Sequence, residues 1–429
     1  MNNRMLSSVF RYNGYNKLNN KKFLSSSYIL KLLILLGGIM KNKENLLIIM
    51  FISAYLSISV FTGVLILFLL YELYSIAKRQ IKLNGHLKLP LFMIITPSIL
   101  SSSIYGKPHE IIGALNQTFF NITYFAKDLF APSYELFKKV NYTIVLFCSI
   151  EAIVTTYYYF NGLLKPIWGG EFEIGIIFTL GSLSAFTLFL LENDKRWKYL
   201  FFILFLVFTF LVFFSGKRNP MIGLISAYML YFVIIIKTSN ASKKWIYRLI
   251  SIFIIITIVG VFYAVEKFPR HKNMVMHLIQ GKELTDQQIN EFSSLRWEIG
   301  KKGVEVIKKD IENGNILPLL IGHGYAAGER LDPPSPVGRS YESIFLISEL
   351  INIGLIGLVG IIFLMYRFFK FTITVKLSEF NQIVGLPFLV FPAYFLVGGI
   401  FSGMWDAILP LYFLMFGIAE NYYSAIKQG

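Results

Sequence analysis

The chain has 429 residues, of which 55% are hydrophobic, 17% aromatic and only 15% charged, and its mean hydropathy is +0.59. Soluble domains carry about 25% charged residues, so this composition excludes an ordinary soluble protein and points to a membrane. The excess of 41 Lys+Arg over 25 Asp+Glu lies mostly between apolar runs, where it serves orientation and leaves no case for nucleic acid, and five His with one Cys exclude a Cys-rich metal site or disulfide framework.

A bilayer core of roughly 30 Å takes about 20 apolar residues in helix. Twelve candidate spans follow in chain order: 24–40, 45–70, 89–105, 109–126, 140–160, 172–191, 199–215, 219–236, 248–265, 341–366, 382–398 and 403–420. A polar, basic tail precedes the first, which has no small-residue cleavage site after it and reads as a signal anchor. The fourth is interrupted by Asn116, Gln117, Thr118 and Asn121, and a re-entrant or interfacial helix is its alternative. Counting it as a span places the basic clusters at Lys78/Arg79/Lys82/Lys88, Lys127/Lys138/Lys139, Lys195/Arg196/Lys198, Lys237/Lys243/Lys244/Arg248 and Arg367/Lys370/Lys376 on one side, the cytoplasm, together with both termini. Residues 1–265 are then nine transmembrane helices, 266–340 one large external loop, and 341–429 three further helices. The expected fold is all-α and polytopic. No internal repeat relates its halves, and the large loop is late and external, which argues against the paired-half layout of twelve-helix transporters. Most charges lie in loops, with Lys31 and Glu151 as exceptions.

Three places on the expected outer face offer chemistry. In Ser215-Gly-Lys-Arg-Asn-Pro220, Lys217 and Arg218 run against the positive-inside trend, and Pro220 suits the first turn of a helix whose positive dipole end points outward. That is an anion-binding arrangement, the plainer alternative being an Arg that anchors a helix end at the headgroups. Within the large loop, Ser294 to Asn313 reads as an amphipathic helix weakened by Gly300 and Gly303 and stopped at Gly314; an apolar stretch follows and ends in a turn with His323 between two glycines. Finally, Gly338-Arg-Ser-Tyr-Glu-Ser343 closes the loop, where Glu342 serves either as a partner for the start of the next helix or as a general base.

Together these motifs resemble the bacterial O-antigen polymerases of the Wzy type and, more distantly, the O-antigen ligases. The resemblance rests on Ser215-Gly-Lys-Arg-Asn-Pro220, on Ser294-Leu-Arg-Trp297 with the amphipathic helix and Ile321-Gly-His-Gly-Tyr325, and on Tyr341-Glu-Ser343 leading into the run that begins at Ser348. It covers most of 200–365, the rest matching in hydropathy alone. It implies a GT-C-like membrane glycosyltransferase of the bacterial inner membrane that works on the external face without metal or cofactor. Such an enzyme moves a glycan from polyprenyl (undecaprenyl) diphosphate onto the next lipid-linked repeat unit, among membrane lipids and alongside a chain-length regulator protein. Arg218, Arg296 and Arg339, with Lys217, are the candidates for the diphosphate, because a leaving diphosphate without metal needs cations. Glu342 is the first candidate base and His323 the reserve, since the His-Asn pair typical of the ligases is missing near Ser340 to Ser343. A ligase-type transferase, or a flippase for lipid-linked sugar, is the alternative function.

Overall fold

A computed structural model describes residues 43–238, 243–267, 284–339, 344–401 and 405–426, with 272–273, 276–277, 279–281 and 341. The chain divides into two units, 1–46 and 47–429. Only the beginning of the first helix represents the former, and the contacts described below lie in the latter. All regular structure among the described residues is helical, and nine helices are long and apolar enough to cross a membrane. The chain is therefore all-helical and of the polytopic membrane type.

The helices in order are α1 (Lys43–Leu56), α2 (Ile58–Ala77), α3 (Lys88–Tyr105), α4 (Pro108–Gln117), α5 (Tyr134–Phe160), α6 (Glu171–Leu191), α7 (Lys195–Phe214), α8 (Arg218–Thr238) and α9 (Lys243–Lys267). There follow α10 (Asp286–Ser293), α11 (Arg296–Glu312), α12 (Ile316–Ile321), α13 (Phe345–Thr374), α14 (Leu386–Val390), α15 (Pro392–Gly398) and α16 (Leu409–Ile426).

Several expected spans take another form. The span at 24–40 lies outside the described residues. That at 45–70 divides at Ser57 into α1 and α2. The run at 382–398 is a 3-10 turn followed by α14 and α15, with a proline near the start of each, where a missing N–H costs least. The last span is displaced to α16, which is not among the nine and carries Glu420 and Asn421 in its second half.

The fourth span, 109–126, requires the clearest correction. It is not a membrane-length α-helix: α4 has 10 residues and is followed by 11 residues of 3-10 helix, Phe119–Leu129. Asn121 accounts for part of this, because its Nδ2 turns back onto the carbonyls of Gln117 and Thr118 at 2.9 and 3.0 Å, competing locally with a regular helix. The segment nevertheless runs antiparallel along the whole of α3. Thr118 Oγ1 donates to Ser98 at 3.0 Å in the middle of α3, and the Leu87 N–H at its start donates to Tyr124 Oη at 3.2 Å.

The parity of the basic clusters therefore holds although the helix does not. Lys127 reaches Glu420 of α16 at 3.2 Å, Lys237 Nζ reaches the Ile373 carbonyl at 3.3 Å, and Tyr142 donates to Glu192 at 3.0 Å beside the Lys195 turn. These contacts gather the basic connections at one end, the basic end. At the other end stand the turns before α6 and α8, joined by Lys217 and Glu171 at 2.7 Å, and the helices α10 to α12.

These last form a small folded crown. The apolar face of α11 carries Ile299, Gly303 and Val306, and it packs with Ala327, Leu331, Tyr341 and Ile351 into a separate core. Gly303, which weakens an isolated helix, is needed here: a Cβ would stand 2.5 Å from Ile347 and 3.0 Å from Ile351. On the outer side, Lys301, first, and Trp297 hold the exposed Asp286 carboxyl below its ordinary range.

Candidate active site in the crown

The crown is attached to the membrane helices through a break in α13. Gly354 adopts φ 65, ψ −172 within that helix, which leaves the carbonyls of Ile351 and Asn352 without their usual partners one turn on. The α12 loop supplies them: His323 N–H donates to Ile351 at 2.7 Å and Gly324 N–H to Asn352 at 3.2 Å. The two strands of backbone approach so closely that a Cβ on Gly354 would lie 2.4 Å from Gly322 N, and one on Gly322 2.3 Å from the Asn352 carbonyl oxygen. Neither position has room for a side chain. Ser102 of α3 receives the Tyr325 N–H at 2.9 Å and completes the seat.

This seat fixes His323 at its Nε2 and at its carbonyl. Its Nε2 stands 2.7 Å from Asp310 Oδ2 of α11, with both side chains largely buried. Its carbonyl accepts from Arg330 at 3.2 Å, and the Tyr105 ring lies 6.3 Å from the imidazole, centroid to centroid. Arg330 is itself ion-paired with the buried Glu110 of α4, which also accepts the Lys107 N–H at 2.8 Å. A buried carboxylate needs such a partner, so the Glu110–Arg330 pair ties the crown to α4. With Asp310 accepting from Nε2–H, the neutral imidazole keeps its lone pair on Nδ1, the state of a hydrogen-bond acceptor and proton acceptor.

The other expected site residues fall into separate groups. Lys217 pairs with Glu171, both side chains being more than 40% exposed, which in such a setting contributes about 0–1 kcal/mol. Arg218 and Arg296 open α8 and α11 and are half-buried. Ahead of Arg296, Ser294 and Leu295 take left-handed backbone, φ 55 and 68, to turn the chain into α11. Arg339 is exposed, 3.8 Å from Glu329. Glu342, the first candidate base, lies outside the described residues, as do Ser340 and Ser343.

Sequence reasoning missed Asp310, Glu110 and Arg330. Asp310 had a signal: with Ile299, Gly303 and Val306 it occupies the apolar register of the amphipathic helix, where an unpaired acid has no reason to be. It missed as well Glu349, on the first turns of α13, whose carboxylate accepts from Trp405 Nε1 at 3.0 and 3.2 Å. The expectation that charges lie mostly in loops, with Lys31 and Glu151 as the exceptions, also needs correction: Glu72 and Glu420 are buried in helices as Glu151 is, and Lys31 lies outside the described residues.

No protein-family model matches the chain. It is 33% identical over 375 residues to an uncharacterized protein of Aquifex aeolicus (strain VF5), with 86% of this chain and 94% of the relative covered. The chain belongs to the family of that protein. At that coverage the two share nearly the full length of the relative, so the similarity is not confined to one segment of either chain.

Proposed function

We propose that the protein is a membrane glycosyltransferase that polymerises lipid-linked oligosaccharide repeat units, with the crown on the external face. The observation that carries this reading is the His323–Asp310 pair, seated on a broken helix at the end opposite the basic connections. His323 Nδ1 takes the proton of the acceptor sugar hydroxyl, and the oxygen bonds to the anomeric carbon of the donor. The bond from that carbon to the polyprenyl diphosphate breaks, and the diphosphate leaves with the electron pair. Asp310 holds the imidazole and offsets the charge it gains. Arg218, Arg296, Lys217 and Arg339 are the cations that this reading assigns to the diphosphate at the same end.

The reading is tested by full-length protein in liposomes supplied with polyprenyl-diphosphate-linked repeat units and a metal chelator. Growth of a glycan ladder is the expected result, and ladder-free vesicles with active lipid-linked substrate would end it. In that assay Arg218→Ala and Arg296→Ala are each expected to slow extension about tenfold or more, the scale of a lost charge-assisted hydrogen bond. Lys301→Ala, which removes an exposed partner of Asp286, is expected to leave the rate unchanged. Equal losses in all three would indicate general attraction to anionic lipid instead.

Orientation is checked independently. A cysteine at the exposed Ser294 of the crown should react with an impermeant thiol reagent applied outside cells, and one at the exposed Lys376 should not; the native Cys148 is fully buried and contributes no background. Reversed labelling would place the crown in the cytoplasm and remove the external site.

The buried Glu72, neither of whose carboxylate oxygens has a hydrogen-bond partner among the described residues, and Glu151, whose Oε1 has none while its Oε2 accepts from the Ile167 N–H at 3.0 Å, favour a second reading, a flippase with a polar crossing path. The same liposomes separate the two: a flippase moves lipid-linked units between leaflets and makes no ladder.

A further inference from the structure

At the basic end, far along α13 from the crown, a cleft of about 350 Å³ opens between the turn before α3, the 3-10 segment, α13 and α16. Its walls include Asn84, His86, Lys127, Arg367, Glu420 and Asn421. Lys127 and Glu420 are the unusual members, since their side chains are only 2% and 4% exposed. Charged groups are rarely held so deep unless paired or used.

The carboxylate of Glu420 is already saturated. Its Oε1 accepts from His86 N–H at 3.0 Å, from His86 Nδ1 at 2.7 Å and from Lys127 Nζ at 3.2 Å, and its Oε2 accepts from the Tyr124 hydroxyl. Asp128, the nearby acid, accepts from Asn421 Nδ2 at 3.1 Å. Lys127 is engaged by Glu420 and by the Tyr124 hydroxyl, to which its Nζ donates at 3.3 Å, whereas Arg367 is not engaged in this way. Arg367 lies 4.9 Å over the Phe363 ring and has no ion pair among the described residues, so the walls carry two permanent cations against one carboxylate. His86 is fixed by the Phe371 ring at 4.5 Å and by Glu420 on Nδ1, which leaves Nε2 uncommitted.

We propose that this cleft binds a phosphate group, with Arg367 as its principal ligand, Asn84 as a supporting donor and Lys127 adding positive charge from within the wall. A guanidinium offers the planar pair of N–H donors that phosphate oxygens match, and the surplus positive charge of the walls requires an anion rather than a cation. The phosphate is either the head of an anionic phospholipid or free phosphate. The place of the cleft at the basic end, where anionic lipids meet cationic side chains, suits the former. Nothing in this assignment depends on the glycosyltransferase reading.

The full-length protein in detergent is titrated with inorganic phosphate by calorimetry and, separately, with phosphatidylglycerol or phosphatidylcholine by native mass spectrometry. Binding of phosphatidylglycerol but not of phosphate or phosphatidylcholine identifies a lipid headgroup; binding of phosphate identifies the free anion. In either case Arg367→Gln is expected to weaken binding at least tenfold and Arg367→Lys to weaken it less. Lys370→Gln, at an exposed cation three residues on, should leave it unchanged. The wild-type protein binding neither phosphate nor phosphatidylglycerol would overturn the proposal even if the Gln variant proved unstable. Equal weakening by the Arg367 and Lys370 variants would overturn it as well.

Discussion

Replacing His323 with glutamine is expected to slow chain extension at least about a hundredfold, the usual scale for a lost acid–base group, while the protein stays folded and inserted. Glutamine retains a donor for Asp310 but cannot take a proton at neutral pH. Asp310→Asn is expected to fall between wild type and that variant. An asparagine can still accept from Nε2–H through its carbonyl, but it no longer offsets the charge of the imidazolium. Because His323 and Asp310 act through one proton, the double variant should be no slower than His323→Gln alone. Rates per folded molecule in the liposome assay decide the matter. Near-normal extension by the Gln variant would remove His323 from the chemistry and return the search for the base to Glu342.

Gly354→Ala should have the largest effect on stability. Its φ and ψ fall in a region used almost only by glycine, which alone costs about 1–3 kcal/mol for another residue. The added Cβ would also lie 2.4 Å from backbone atoms of Gly322 and Leu320. Relief requires the loop to lift from α13, and with it the two hydrogen bonds that hold His323 and Gly324. The expected result is a markedly lower apparent melting temperature in detergent, together with loss of extension. Gly63→Ala is the matched control: nothing lies within 4 Å of that position, and within a helix alanine is favoured over glycine by roughly 0.5–1 kcal/mol. If both variants melt alike, the junction is not the constraint that the backbone contacts indicate.

The uneven legibility of the sequence follows from the range of the forces involved. Long apolar runs and basic connections are signals of composition, read without knowledge of any contact, and they were sufficient for an all-helical chain with its basic clusters at one end. The amphipathic α11 was legible for the same reason, since its period is local. Segment 109–126 was only half legible. Its direction followed from charge parity, whereas its form depends on side chains such as Thr118 and Asn121 that bond to backbone and to α3.

What the sequence determined by itself was the solvent: a chain this apolar must satisfy its backbone within helices and sort its cations to one side. The tertiary structure alone decided which residues meet. His323 and Asp310 are 13 residues apart, and Glu110 is 220 residues from Arg330; no periodicity links such positions. They meet because a break at Gly354 exposes two carbonyls that the His323 and Gly324 N–H groups satisfy, and because a buried acid must find a cation. Hydrogen-bond satisfaction in a low-dielectric interior is a property of the folded whole, so that part of the site could be seen only there.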